Sequence, residues 1–91
     1  MGRAEYKVPG GKLLAAETAA LEGRLTSVKV TGDFFMHPET AIEELEEHLT
    51  GIPLEEMEKA VENFFKGRGV ALYGVASEDF SHVLRLSLGD P

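Results

Sequence analysis

The sequence predicts one small domain of the α+β class, with residues 1–91 as a single unit. A chain of 91 residues suits one domain, and its hydrophobic content of 43% is ordinary for a globular protein. Residues 25–31 alternate in the manner of a strand, whereas the segments after Pro38 and Pro53 repeat apolar residues every three or four positions. Strand-like and helical segments therefore occur in the same short chain.

The N-terminal third contains one clear strand pattern and one ambiguous segment. A short strand is predicted over residues 3–8, and Gly10-Gly11 ends it. Residues 12–21 are rich in alanine and leucine, which favours a helix that ends at Gly23. Glu22-Gly23 is also typical of a hairpin turn between two strands. In the run that follows, Thr26, Val28 and Val30 alternate with Ser27, Lys29 and Thr31. Composition alone leans slightly towards a helix for residues 12–21.

Two helices are predicted in the middle of the chain, over residues 38–49 and 54–66. Pro38 suits the first turn of a helix, and Gly51 suits the position that follows the last turn. The apolar stripes are expected to face the core. They consist of Ala41, Ile42, Leu45 and Leu49 in the first helix, and of Leu54, Met57, Val61, Phe64 and Phe65 in the second.

The last third of the sequence predicts one more strand and one more helix. The short apolar run 70–75 is typical of a strand. Ser77 is the expected N-cap of a helix over residues 78–87, with Glu78 and Asp79 in its first turn. Residues 84–88 also alternate, so a final strand is an open alternative.

Composition excludes several classes of function. The chain has no cysteine, which excludes disulfides, thiolate metal sites and cysteine nucleophiles. The net charge of −7 argues against nucleic acid as a partner. No apolar run approaches the roughly 20 residues of a membrane span, and the N-terminus lacks the apolar core of a signal peptide. We therefore expect a cytoplasmic protein that binds no membrane.

Negative charge is concentrated in one segment. Residues 39–62 hold nine glutamates and one lysine, so this segment carries −8 and the rest of the chain carries +1. Two solvated helix faces explain this pattern, and an acidic patch that faces a basic partner is the sharper alternative.

The search for catalytic motifs finds no self-sufficient active site. No G-x-S-x-G elbow or complete phosphate-binding loop occurs. His37, His48 and His82 lack the spacing of a zinc site, and no metal is predicted. The residues therefore indicate a binding or accessory module rather than a stand-alone enzyme.

Two short blocks combine unusual backbone chemistry with residues that a plain loop does not need. The block Pro9-Gly10-Gly11-Lys12 is either a tight turn with a solvated lysine or a loop whose amides and lysine approach an anionic group. In the block Gly32-Asp33-Phe34-Phe35, both aromatics lie in the core or one of them faces a partner protein.

Taken together, these blocks resemble the accessory domain of lipoate–protein ligases, which is a C-terminal domain in many bacteria and a separate small subunit in some archaea and bacteria. The matching runs are residues 7–13, residues 31–35 with Pro38-Glu39, then Gly51, and residues 77–80. The resemblance covers nearly the whole chain, which suits the separate form.

The resemblance implies a small antiparallel sheet, with a hairpin over about residues 12–33, packed by two to three helices over about 38–49, 54–66 and 78–87. It decides the ambiguous segment in favour of a strand, although its alanines depart from the β-branched pattern expected of such a strand.

The resemblance also implies a role in protein lipoylation. In such ligases a catalytic subunit binds ATP, magnesium and lipoate, forms lipoyl-adenylate and transfers the lipoyl group to a lysine of an acceptor domain. The small subunit has no catalytic residues and binds no cofactor alone, but it is needed for activation. Gly10, Gly11 and Lys12 are then candidates for a loop near the substrate, and Asp33, Phe34, Phe35 and His37 are candidates for the partner interface.

Two other functions fit the residues without the resemblance. One is a general cytoplasmic interaction domain with no part in lipoylation. The other is an iron–sulfur scaffold, against which the lack of cysteine counts heavily.

Overall fold

The computed structural model describes residues 2–89 and has the predicted α+β architecture, in which strands and helices share one core. The strands are β1 (Gly2–Lys7), β2 (Leu13–Leu21), β3 (Arg24–Gly32), β4 (Phe35–His37) and β5 (Ala71–Tyr73). The helices are α1 (Ala41–Leu49), α2 (Met57–Arg68) and α3 (Ser77–Ser87), and a 3-10 helix over Leu54–Glu56 leads into α2. None of the helices between residues 2 and 89 is long and apolar enough to cross a membrane.

The ambiguous segment is a strand, as the family resemblance implied. Strand β2 lies at the centre of an antiparallel sheet of order β1-β2-β3, so both of its edges are paired. This pairing outweighs the helical propensity of its alanines. A two-residue turn joins β2 to β3, and its residues Glu22 and Gly23 have φ angles of 53° and 78°. Two positive φ values in succession are the geometry of a type I′ hairpin turn.

The expected alternation in β3 is wrong at one position. The register shifts between Ala19 and Ala20, which pair with Ser27 and Leu25, so that Thr26 is left out of the pairing. Such a bulge reverses the alternation of the strand beyond it. Leu25 is therefore fully buried, whereas Thr26, expected on the same face as Val28 and Val30, is exposed.

The helices form where the sequence predicts them, with corrections at their ends. Of the predicted helix 54–66, residues 54–56 are a 3-10 helix, and α2 continues to Arg68. Helix α1 begins at Ala41 because residues 38–40 form a separate turn, in which the Ala41 amide donates to the carbonyl of Pro38 over 3.0 Å. Helix α3 has Ala76, not Ser77, at its N-cap position. The Asp79 carboxylate accepts the Ala76 amide over 2.7 Å and so satisfies a donor at the helix start. The alternative of a final strand over residues 84–88 is wrong, because α3 continues to Ser87.

The core lies between the three-stranded sheet and the helices. Helix α3 packs on β1 and β2, α1 packs on β3, and α2 contacts both helices. The largest fully buried side chains include those of Phe80, Leu14, Leu25, Leu45 and Leu84. Strands β4 and β5 form a separate two-stranded antiparallel sheet, and that small sheet carries one of the two blocks singled out above.

Candidate functional site at the β4–β5 sheet

The fold brings the two blocks, residues 9–12 and 32–35, to the same part of the molecule. The Asp33 amide donates to the carbonyl of Leu13 over 3.1 Å, which holds the second block beside the end of the first. The Lys12 amide donates to the carbonyl of Gly74 over 2.9 Å. Gly74 directly follows Tyr73, which lies opposite Phe35 in the β4–β5 pair. Residues that are far apart in sequence thus form one continuous surface.

The loop between β1 and β2 is a tight, internally bonded turn. The Gly11 amide donates to the carbonyl of Val8 over 2.8 Å, and the Val8 amide donates to the carbonyl of Lys12 over 3.1 Å. The ammonium group of Lys7 donates to the carbonyl of Gly11. Because the amides of Gly11 and Lys12 both bond to protein carbonyls, they are not free to bind an external anion.

What the loop presents to solvent is the side chain of Lys12. This side chain is exposed and forms no salt bridge with any residue between 2 and 89. Among the loop residues predicted to approach an anionic group, Lys12 therefore supplies the charge. Gly10, with a φ of 72°, supplies a backbone conformation that other residues rarely adopt.

Two glycines allow the loop to approach the end of β5 closely. A Cβ atom on Gly11 would lie 2.3 Å from the carbonyl oxygen of Gly74. A Cβ atom on Gly74 would lie 2.4 Å from Cγ of Lys12, and Gly74 also has a φ of 87°. Side-chain atoms at either position would push the two segments apart.

The adjacent aromatics of the second block face opposite sides. Phe34 is half-buried, and its ring meets the ring of Phe80 edge-on at a centroid distance of 5.3 Å. Phe35 points outward and is 69% exposed. Tyr73, directly across from Phe35 in the small sheet, is 60% exposed. Sequence reasoning missed Tyr73, because the apolar run 70–75 predicts a strand without indicating what lies opposite it.

The remaining interface candidates surround this aromatic pair. Asp33, two residues before β4, and His37, the last residue of β4, are both exposed. A groove of about 360 Å³ runs between the end of β3 and β4. Its lining includes Val30, Gly32, Phe34, Phe35, Glu39 and Ile42. The structure thus places all four predicted interface residues on β4 and the turn that precedes it, and their role in binding stays a prediction.

The other two histidines between residues 2 and 89 lie away from the β4–β5 sheet. His48 packs beside Phe64, and His82 meets Tyr6 edge-on, so neither shares a site with His37. No three metal-ligating side chains between residues 2 and 89 are grouped to hold a metal ion.

A groove of about 470 Å³ between α2 and α3 contains none of the predicted site residues. On α2, the hydrogen-bonded ammonium group of Lys66 lowers the pKa of the Glu62 carboxyl.

Comparison with known proteins finds similarity over most of the chain. A protein of Thermoplasma acidophilum named lipoate-protein ligase A subunit 2 is 38% identical over 76 residues, which cover 82% of this chain and 80% of that relative. A solved structure of a bi-partite lipoate protein ligase and its E2 lipoyl domain, also from Thermoplasma acidophilum, contains a chain with the same fold. The match has a TM-score of 0.80 at 30% identity and covers 91% of this chain and 97% of that one. No protein-family model matches the sequence.

Proposed function

This chain belongs to the lipoate-protein ligase A subunit 2 family, and we propose from this that it acts with its catalytic partner subunit in the ATP-dependent activation of lipoate to lipoyl-adenylate. In this role it is a non-catalytic accessory subunit that serves protein lipoylation. It works in the cytoplasm, where its partner has access to ATP and to the lipoyl-acceptor domains.

One observation of the structure supports the proposal most directly. The two blocks that carry the family resemblance converge, through the bond from the Lys12 amide to the Gly74 carbonyl and the pairing of Phe35 with Tyr73. A charged loop and an exposed aromatic surface therefore stand side by side. A surface of this kind suits a subunit that binds a partner and extends a group towards the partner's reacting centre.

ATP, magnesium and lipoate are assigned to the catalytic subunit. Among the converging residues, Lys12 offers one ammonium group that forms no salt bridge with residues 2–89. A triphosphate and its metal need several ligands and cationic contacts. The small subunit is therefore suited to complete a site rather than to form one.

Lys12 is the residue proposed to act on the activation step. In adenylation, a carboxylate oxygen of lipoate attacks the α-phosphorus of ATP, and the bond from this phosphorus to the departing pyrophosphate breaks. Negative charge crowds the reacting centre, and a positioned ammonium group stabilises it. Transfer of the lipoyl group from the finished adenylate to an acceptor lysine involves no triphosphate, so it depends less on this charge.

A comparison of the two half-reactions tests the proposal. The complex with Lys12→Ala is expected to form lipoyl-adenylate at least about tenfold more slowly, since loss of one well-placed donor commonly costs this much or more. Its transfer from preformed lipoyl-adenylate is expected to stay close to that of the unchanged complex. Pyrophosphate release and lipoylation of an acceptor domain measure the two steps separately.

Two control variants separate charge from general surface effects. Lys29→Ala removes the same charge from the exposed side of β3 and is expected to leave both steps unchanged. Lys12→Arg retains the charge and is expected to recover part of the activation rate. Normal activation by Lys12→Ala contradicts the assigned role of Lys12, and equal slowing of both steps indicates lost assembly instead. Full activation by the catalytic subunit without this chain contradicts the accessory role itself.

A further inference from the structure

Given the accessory role proposed above, on which this step depends, we infer that the exposed pair Phe35 and Tyr73 forms the centre of the surface that binds the catalytic subunit. Lys12 lies at the rim of this surface. The partner is expected to present an apolar patch to the two rings, and its reacting centre is expected to lie towards Lys12. We call the surface formed by Phe35, Tyr73 and Lys12 the aromatic face.

Exposure marks the aromatic face as unusual within the described chain. Among residues 2–89, three large apolar side chains are strongly exposed, namely Leu21, Phe35 and Tyr73. Leu21 stands alone at the β2–β3 turn, whereas Phe35 and Tyr73 are direct cross-strand neighbours. Two neighbouring aromatic rings offer the contact area typical of the anchors at the centre of a protein interface.

The aromatic face is also held in place before any partner binds. Met36, between the two exposed positions of β4, is 7% exposed and belongs to the core cluster. Phe34, just before Phe35, is fixed by its edge-on contact with Phe80. The backbone that carries Phe35 is thus anchored in the core by its neighbours, and a backbone fixed in advance loses little freedom on binding, which favours affinity.

Two features identify the occupant as the catalytic subunit rather than a second copy of this chain. The chain carries a net charge of −7, and like charge opposes close association of two copies. Within the aromatic face, Tyr73 and Lys12 are held together by the bond from the Lys12 amide to the carbonyl of Gly74, the residue after Tyr73. A partner seated on the two rings therefore also lies against the lysine that acts on its substrate.

Titration of the purified chain against its cognate catalytic subunit by calorimetry tests this assignment. Phe35→Ala and Tyr73→Ala are each expected to raise the Kd at least about tenfold, as truncation of a central aromatic anchor does. Leu21→Ala is the matched control, because this side chain is 67% exposed and lies at the opposite end of β2 from Lys12. Its Kd is expected to stay within about twofold of the unchanged chain, as for a surface residue outside the interface.

Thermal melting of each variant separates binding from folding. Phe34→Ala serves as the folding reference, because loss of its contact with Phe80 is expected to lower the Tm clearly. Phe35→Ala and Tyr73→Ala are expected to melt close to the unchanged chain, since both rings are mostly exposed.

Four other binding results would contradict either the assigned interface or the accessory role. If the unchanged chain binds the catalytic subunit and neither aromatic variant binds more weakly, the aromatic face is not the interface, although the accessory role stands. If the control variant Leu21→Ala weakens binding as much as Phe35→Ala does, the assignment of the aromatic face as the interface is also wrong. If sedimentation shows a dimer of the isolated chain that Phe35→Ala dissociates, a second copy is the occupant. Failure of the unchanged chain to bind the catalytic subunit rejects the accessory role.

Discussion

The backbone amide of Lys12 donates a hydrogen bond of 2.9 Å to the carbonyl of Gly74, and this bond joins the β1–β2 loop to the end of β5. The position of the loop relative to Tyr73 is set by this contact and by the absence of side chains at Gly11 and Gly74. Gly74 therefore sets the position of Lys12 relative to the small sheet.

Substitution of Gly74 by alanine is expected to destabilise the chain for two reasons. The φ of 87° disfavours any Cβ, and the new atom would lie 2.4 Å from Cγ of Lys12. Gly69→Ala is the matched control, because Gly69 has a φ of 61° but open space around it. The control is expected to lose about 1–2 kcal/mol from left-handed strain, and Gly74→Ala is expected to lose roughly 1 kcal/mol more from the clash. Urea unfolding measures both values.

A double-mutant cycle isolates the contact between the two residues. Lys12→Ala removes Cγ, so the extra cost of Gly74→Ala should largely disappear in the double variant. Additive losses in the two single variants would show that Gly74 acts through its backbone conformation alone.

Local signals predicted most elements, whereas long-range pairing decided the rest. Gly51 lies just beyond the end of α1 as expected, and three of the four predicted stripe residues of that helix, Ala41, Leu45 and Leu49, are buried, whereas Ile42 is half-buried. The alanines of β2 favour a helix, and only the presence of β1 and β3 on both sides makes them a strand. No local pattern predicts such pairing.

The same distinction applies to the candidate site. The sequence indicated that one of two adjacent aromatics faces outward, and the structure identifies it as Phe35. Its neighbour Tyr73 was not predicted, because the two strands are joined through α1 and α2. The sequence also did not predict that the Lys12 amide is already hydrogen-bonded, since its acceptor is the carbonyl of Gly74, which is distant in sequence.

The β2–β3 turn is expected to accept a stabilising substitution. Glu22 adopts a φ of 53° in the type I′ turn, where a residue with a long side chain is uncommon. Asparagine tolerates this conformation better, and Asn-Gly is the preferred pair for such turns. Glu22→Asn is therefore expected to raise the free energy of unfolding by about 0.5–1 kcal/mol, in the range of other turn optimisations. Gly23→Ala, at a φ of 78°, should destabilise instead. A loss of stability in Glu22→Asn would contradict the turn assignment.

A buried pair of hydroxyl groups ties the centre of the sheet to α3. The Oγ1 atom of Thr18 lies 2.7 Å from Oγ of Ser87, and Ser87 donates to the carbonyl of Leu84 over 2.7 Å. Because the single hydroxyl proton of Ser87 is directed to Leu84, Thr18 must be the donor in the pair. Both residues are almost fully buried, so neither can replace a lost bond with one to water.

Thr18→Val keeps the shape of the side chain but removes the donor, and it is expected to cost about 1 kcal/mol, because Ser87 Oγ no longer accepts a hydrogen bond but still donates to Leu84. Ser87→Ala is expected to cost about 1–3 kcal/mol, since the buried hydroxyl of Thr18 is then left without an acceptor. The double variant should lose clearly less than the sum of the two, because no buried hydroxyl of the pair then remains unsatisfied. Chemical unfolding of the unchanged chain, the two single variants and the double variant gives the coupling energy. A coupling of zero would show that the two hydroxyls act independently.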